Sequence, residues 1–293
     1  MIDILTTIWT FMKEGVMISA MVAVVLPWVG AILAARRTSI LGVAVPQFSA
    51  AGIALGLALL PWFPSFQREY LEHGHPPLEY LFAFAASAAA LALFAFGAIA
   101  GKRGKSLSDS QVAAGFAAAS AFALIALEWA PAGGSLVETL QRGSVVVADM
   151  HSLWVVLIVD GLALIALTLF TTGILLVSFD RDMATVLGHR PGYYEFVWNM
   201  IVGASIGVGV MTIGPVLVFG LLFIPPLIAR MFAKSMRSYL RLSVSMAILP
   251  IAISWPLSFS LDLPYGPTAT LSLAVWAAVL AICARVWHRV ASG

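Results

Sequence analysis

The sequence predicts an all-α membrane protein, a polytopic helical bundle of eight or nine transmembrane helices with one short helix lying on the cytoplasmic face. Three observations carry that prediction. Of the 293 residues, 61% are hydrophobic and only 10% are charged, with a mean hydropathy of +0.99. Soluble domains carry about 25% charged residues, so this chain cannot cover a water-facing surface and its solvent is lipid. The apolar residues are gathered into runs of about 20, the length a helix needs to cross the hydrocarbon core. The basic residues fall at alternate connections between those runs, the pattern by which membrane proteins keep positive charge in the cytoplasm.

Taken in order, the opening residues MIDILTTIWTFMKEG carry Asp3, Lys13 and Glu14 without a basic start. They read as an amphipathic interfacial helix over 1–14, not as a cleavable signal peptide. Spans follow near 15–34, 43–61, 79–100, 112–130, 152–177, 195–211, 214–233, 242–261 and 267–287. The sixth and seventh are separated only by Thr212 to Pro215, TIGP, and read either as two short helices or as one broken helix. Gly52-x-x-x-Gly56 and Gly203-x-x-x-Gly207 allow helix backbones to approach closely, which is ordinary packing chemistry in a membrane. The single cysteine, Cys283, sits in an apolar run and reads as a packing residue. The whole of 1–293 reads as one transmembrane domain.

Orientation follows from charge. Arg36/Arg37, Lys102/Arg103/Lys105, Arg181/Arg190, Lys234/Arg237/Arg241 and Arg285/Arg289 mark one side. The intervening loops, 62–78 and 131–150, hold Glu69, Glu72, Glu79, Glu138 and Asp149 with few basic residues. With nine spans the N-terminus lies outside and the C-terminus in the cytoplasm of a cell whose membrane the chain crosses repeatedly.

Several functions are excluded or weakened. A net charge of +2 is too small to imply a nucleic acid partner. The nearest approach to a phosphate-cradling loop, Gly97 to Lys102 (GAIAGK), is one residue short and ends an apolar run, so nucleotide hydrolysis, if used, must come from another chain. Asp160 is the one acid clearly inside a span and has no second acid near it in sequence. It reads either as a hydrogen-bonded structural residue or as a pathway or proton-coupling residue, since intramembrane acids are expensive to keep. Between spans five and six, Leu176 to Phe196 reads LVSFDRDMATVLGHRPGYYEF. Asp180 and Asp182 suit a helix start, Gly188 suits its end and Pro191 prevents continuation. The resulting short helix is either an ordinary interfacial loop or a docking knob for a cytoplasmic partner.

Four blocks then stand together: RRTSILG (Arg36 to Gly42), FDRDMATVLG (Phe179 to Gly188), GPVLVFGLLFIPPLIARMF (Gly214 to Phe232) and LDLPYGPTATL (Leu261 to Leu271). In order and spacing the chain resembles the permease subunits of metal-ion ABC importers, the family that moves zinc, manganese or iron(II). The resemblance implies a transport subunit without enzymatic activity of its own. It implies a second permease copy or paired permease, two cytoplasmic ATPase subunits that hold the ATP, and an external substrate-binding protein. No cofactor is expected on this chain, and the divalent metal ion is cargo. The resemblance also makes 179–190 the coupling helix region, with Asp180, Asp182, Ala184 and Gly188 at the ATPase contact.

One block departs from the family. Where its members resemble GDTLAHASLLG, this chain has GVAVPQFSAAG, Gly42 to Gly52. Val43 replaces the aspartate and Gln47 the histidine, two positions four apart on one helix face. Pro46 removes an N–H from the helix and frees the carbonyl of Gly42, which is tolerated at membrane depth where it faces protein or a water-filled cavity. Val43, Pro46, Gln47 and Ser49, with Asp160, are the candidate ion-pathway residues. His73 and His75, in the external EHGHPP, are candidate metal contacts. Two other readings stay open: an ABC permease for a non-metal substrate, and a stand-alone secondary transporter or channel.

Overall fold

The chain, described by a computed structural model over residues 2–36, 38, 41–73, 78–103, 108–130, 145 and 148–292, is helical almost throughout. The elements are α1 (Ile2–Ala35), α2 (Leu41–Leu59) and, after a 3₁₀ turn at Leu60–Trp62, α3 (Pro64–His73). Then come α4 (Leu78–Arg103), α5 (Asp109–Trp129), α6 (Met150–Phe179), α7 (Arg181–Val186), α8 (Pro191–Ile213), α9 (Pro215–Phe232), α10 (Met236–Leu261) and α11 (Tyr265–Ser292). Among the described residues, nine of these helices are long and apolar enough to cross a membrane.

Local chemistry sets the boundaries. α5 opens on a capping box: Ser108 N–H donates to the Gln111 side chain at 3.2 Å and Gln111 N–H donates back to Ser108 Oγ at 3.4 Å. α6 opens on Asp149, whose carboxylate accepts from Ser152 N–H at 2.8 Å. α10 opens on Ser235, which accepts from Ser238 N–H at 3.2 Å. α8 and α9 both open on a proline, where the missing N–H costs nothing. Between them stands Gly214 alone, with φ +83°. That left-handed backbone turns the chain in a single residue, so the sixth and seventh spans are two helices. The leading helix runs into the first span without a gap, broken only at Met12, where φ is −131° and ψ 20°.

α1, α2 and α8 form the interior of the bundle. α1 carries Ile18, Val22, Leu26, Val29 and Ile32 fully buried and packs against α10, α9 and α6. α2 packs on α4 and α5, and α4 in turn packs on α8. The two small-residue motifs meet at α4. A methyl group added at Gly52 would stand 2.4 Å from the Phe84 carbonyl oxygen, and one at Gly207 would stand 2.9 Å from the Ala86 backbone. The alanine-rich α4 is therefore clamped between two glycine faces, contact that supplies dispersion energy where lipid offers no hydrophobic drive. Tyr80 Oη donates to the Gly56 carbonyl at 2.7 Å and fixes the register of α4 on α2. Cys283 is exposed on α11 and is not the packing residue the sequence suggested.

Candidate functional site

The face of α2 that carries Val43, Pro46, Gln47 and Ala50, at i, i+3, i+4 and i+7, lines a cavity of about 460 Å³. α5 contributes Phe116, Ser120, Ala123, Leu124 and Leu127, again one helix face, and α9 contributes its first turn and a half, Pro215, Val216 and Phe219. The wall is apolar apart from the Gln47 amide and the Ser120 hydroxyl, and the Ser120 hydroxyl donates to the Phe116 carbonyl at 2.8 Å. Gln47 is half-buried, with no hydrogen-bond partner among the described residues. Among those residues no carboxylate, imidazole or thiolate lines the cavity, and no group of three or more metal-ligating side chains occurs.

The structure brings together Val43, Pro46 and Gln47 and separates Ser49 and Asp160 from them. Ser49 is fully buried with an unpartnered hydroxyl and does not line the cavity. Asp160 lies on α6, whose main packing partners are α8 and α1 rather than the cavity helices α2, α5 and α9. Its carboxyl is fully buried and is approached by the hydroxyl of Ser205 on α8, although neither group makes a hydrogen bond of normal geometry. His73 ends α3, but its side chain, like all of His75, lies outside the described residues. At the start of α6, His151 Nε2 sits 2.7 Å from the Glu79 carboxylate of α4.

The second feature is the turn between α6 and α8. Asp180 caps α7, its carboxylate accepting from Met183 N–H at 2.8 Å. Asp182 lies exposed in the first helical turn. The other end closes with Gly188 at φ +82°, where His189 N–H donates to the Ala184 carbonyl at 2.9 Å and Gly188 N–H to the Thr185 carbonyl at 3.0 Å. That pair of bonds is a Schellman closure, which explains why a glycine stands there. Ala184 is fully buried and anchors the turn, while Phe179, Met183, Val186 and Leu187 are 50–81% exposed. A six-residue helix capped at both ends thus presents an apolar knob.

The turn is braced to its surroundings. His189 Nδ1 lies 2.9 Å from Tyr194 Oη, and the Tyr194 ring fills the space left by Gly173 on α6. Arg181 pairs with Glu195 at 3.1 Å. Arg36, at the end of α1, stacks 5.4 Å over the Trp198 ring. Burial holds the Arg36 guanidinium below the ordinary arginine range and the nearby Glu195 carboxylate acts the other way; arginine remains charged regardless. Sequence alone does not single out the α5 and α9 wall or the contact of Arg36 with Trp198. The Phe116, Ser120, Ala123 and Leu127 spacing was the available signal for α5.

Nine apolar helices among the described residues, a cavity walled by three of them and a doubly capped knob between two others define a polytopic membrane permease. The chain belongs to the ABC 3 transport family, whose pattern it matches over residues 9–284. It is 22% identical over 168 residues to the manganese import system permease protein ScaB of Streptococcus gordonii, covering 57% of this chain and 60% of that one. It is 31% identical over 104 residues to the zinc transport system membrane protein TroC of Treponema pallidum, covering 36% of this chain and 32% of that one. The matched stretch thus spans about 60% of the length of the first of these relatives. In fold it is similar to PsaBC from Streptococcus pneumoniae in complex with Fab, at TM-score 0.75 and 18% identity over 96% of this chain and 95% of that one. An inward-facing putative metal-chelate type ABC transporter superposes with TM-score 0.67 and 16% identity over 96% and 90%.

Proposed function

We propose that this chain is the membrane-spanning permease of an ATP-driven importer for a divalent transition-metal ion, manganese or zinc before iron, received from an external binding protein. The observation that carries the reading is the α7 turn. A short helix capped by Asp180 and closed at Gly188, with its apolar side chains directed away from the bundle, is built to be gripped by another protein. The N-terminus lies outside and the C-terminus in the cytoplasm, so the knob meets cytoplasmic ATPase subunits. A second permease copy covers the open side of the cavity, since Gln47 facing lipid would leave an unpaired amide in hydrocarbon.

In this mechanism ATP binding draws the ATPase subunits together and moves α7. Two linkages carry the motion inward. Tyr194, held in the Gly173 slot, ties the turn to α6, and Arg181–Glu195 ties it to α8. Arg36, over Trp198, then passes the displacement to the junction from which α2 departs five residues later. α2 carries the cavity wall, so exposure of the cavity alternates as two packings exchange.

The test is uptake of radioactive manganese or zinc into proteoliposomes that hold the chain with its ATPase subunits and are supplied with ATP and the binding protein. Uptake that requires all of these supports the reading. Equal uptake by the chain alone overturns it in favour of a stand-alone channel.

A further inference from the structure

Asp160 and Ser205 are two fully buried polar residues outside the cavity and outside the coupling turn. Each has a relative exposure of 0%, and both carboxylate oxygens and the hydroxyl lack hydrogen-bond partners. They face each other from α6 and α8, the two helices that α7 joins. The charge surrounding them is unusually sparse. α6 has no other titratable side chain between His151 and Asp180, α8 none between Glu195 and Gly214, α1 none between Glu14 and Arg36, and α4 none between Tyr80 and Lys102. These are the long helices packed against α6. Among the described residues of these helices, an ionised Asp160 therefore has no counter-charge, and an unpaired buried carboxylate in the membrane interior is strongly disfavoured.

One positive charge resolves both problems, because it neutralises the carboxylate and satisfies the idle oxygens. A divalent ion would leave a net positive charge in the same apolar surroundings, so the single carboxylate selects a monovalent occupant. We propose that Asp160 and Ser205 form a buried binding site for one monovalent cation, either a proton or a sodium ion, set between the two arms of the α6–α8 hairpin. Asp160 supplies the charge and Ser205 Oγ a neutral oxygen. An occupied site clips the arms together within the membrane; an empty one leaves a buried carboxylate whose charge only the Ser205 hydroxyl can offset, and loosens them. The site is thus placed to set the stiffness of the hairpin that carries α7, whatever substrate the cavity passes.

The experiment uses the full chain, purified into lipid nanodiscs, with unfolding followed by tryptophan fluorescence on heating. Solutions of sodium chloride and choline chloride are compared at equal ionic strength, each from mildly acidic to mildly alkaline pH. Wild type, Asp160→Asn and Ser205→Ala are measured together. A sodium occupant makes wild-type Tm rise with sodium concentration while Asp160→Asn stays flat. A proton occupant makes wild-type Tm in choline fall as pH rises, because the ligand is withdrawn, again with Asp160→Asn flat. Ser205→Ala shifts the midpoint of either response by about tenfold in ion concentration, the loss of one bond to a charged group. If Asp160→Asn does not fold, the Ser205→Ala midpoint decides alone. Matching responses of wild type and both variants, or an unshifted Ser205→Ala midpoint where it is the sole variant, overturn the proposal.

Discussion

Gly173→Ala probes the brace between the α7 turn and the membrane helices. A methyl group at this position would stand 2.1 Å from Tyr194 Cε1 and 2.6 Å from Cζ, where ordinary contact begins at 3.4 Å. The ring must therefore retreat by more than an ångström. It is not free to do so cheaply, because its hydroxyl is bonded to His189 at 2.9 Å and its faces meet Phe170 and Tyr193 at centroid distances of 6.2 and 5.7 Å. Losing the hydrogen bond costs about 0.5–1.5 kcal/mol and each displaced aromatic pair about 0.5–1.5 kcal/mol. With all three contacts displaced the variant should lose roughly 1.5–4.5 kcal/mol of stability, seen as a lower unfolding midpoint in detergent, and on the proposed reading ATP-driven uptake should fall more than membrane insertion. Tyr194→Phe isolates the hydroxyl and should cost about 1 kcal/mol. The decisive comparison is the double variant. With the ring removed by Tyr194→Ala, the extra methyl has nothing to strike, so Gly173→Ala should add almost nothing in that background. Additive costs of the two substitutions would refute the slot.

Three further outcomes are expected. Gly30→Ala places a methyl 2.0 Å from the Leu222 carbonyl oxygen, backbone against backbone, so α1 and α9 must separate at a cost of about 1–3 kcal/mol or more, read as a lower Tm. Asp149 sits below the ordinary carboxylate value of 3.8: desolvation pushes it up, but the bonds from the Ser152 hydroxyl and amide and the nearby His151 outweigh that. A depressed carboxyl stabilises above its unfolded-state range and loses that contribution as pH falls through the folded value, so Asp149→Ala should cost about 1 kcal/mol as a lost cap and flatten the acid limb of Tm against pH. Asp180→Ala removes the cap of α7 and about 1 kcal/mol from a helix too short to hold itself; on the proposed reading, permease-stimulated ATPase activity should drop while the bundle's Tm barely moves.

Much of this was legible in the chain because membrane helices announce themselves one at a time. Length and hydropathy located every span, and the caps Asp180 and Gly188 were readable because each solves a local problem, an orphan donor at one end and a left-handed backbone at the other. The face Val43, Pro46, Gln47 was readable for the same reason, since helical periodicity decides it within eight residues. What sequence could not supply was the partner of each face. Asp160 reads as a pathway candidate because an intramembrane acid suggests one, whereas the structure buries it near the Ser205 hydroxyl, an approach set by helix packing across 45 residues of chain. Phe116 and Ser120 lie on a face of α5 with no distinguishing chemistry, and only the arrangement of α2, α5 and α9 makes them a wall. Arg36 reads from sequence as an orientation signal and as the head of one family block, and only the packing of α8 places Trp198 beneath it.

The neutral wall has a consequence for how an ion would cross. Zinc and manganese hold their water tightly, and only anionic or imidazole ligands replace it well. Val43 offers no ligand and Gln47 only an amide oxygen. The cavity, at about 460 Å³, has room for on the order of fifteen waters at roughly 30 Å³ each, more than a full hydration shell. On the proposed reading the ion therefore passes with its shell, held weakly, and discrimination among metals rests with the external binding protein. Val43→Asp with Gln47→His tests this directly. The pair places a carboxylate and an imidazole four residues apart on the cavity face, so the ion should shed water and stay. Metal retained by the purified complex should rise by an order of magnitude or more, consistent with roughly 1.4 kcal/mol per tenfold, while the maximal uptake rate falls because release becomes slow. Unchanged retention and unchanged uptake in the double variant would mean that the ion does not travel past this face of α2.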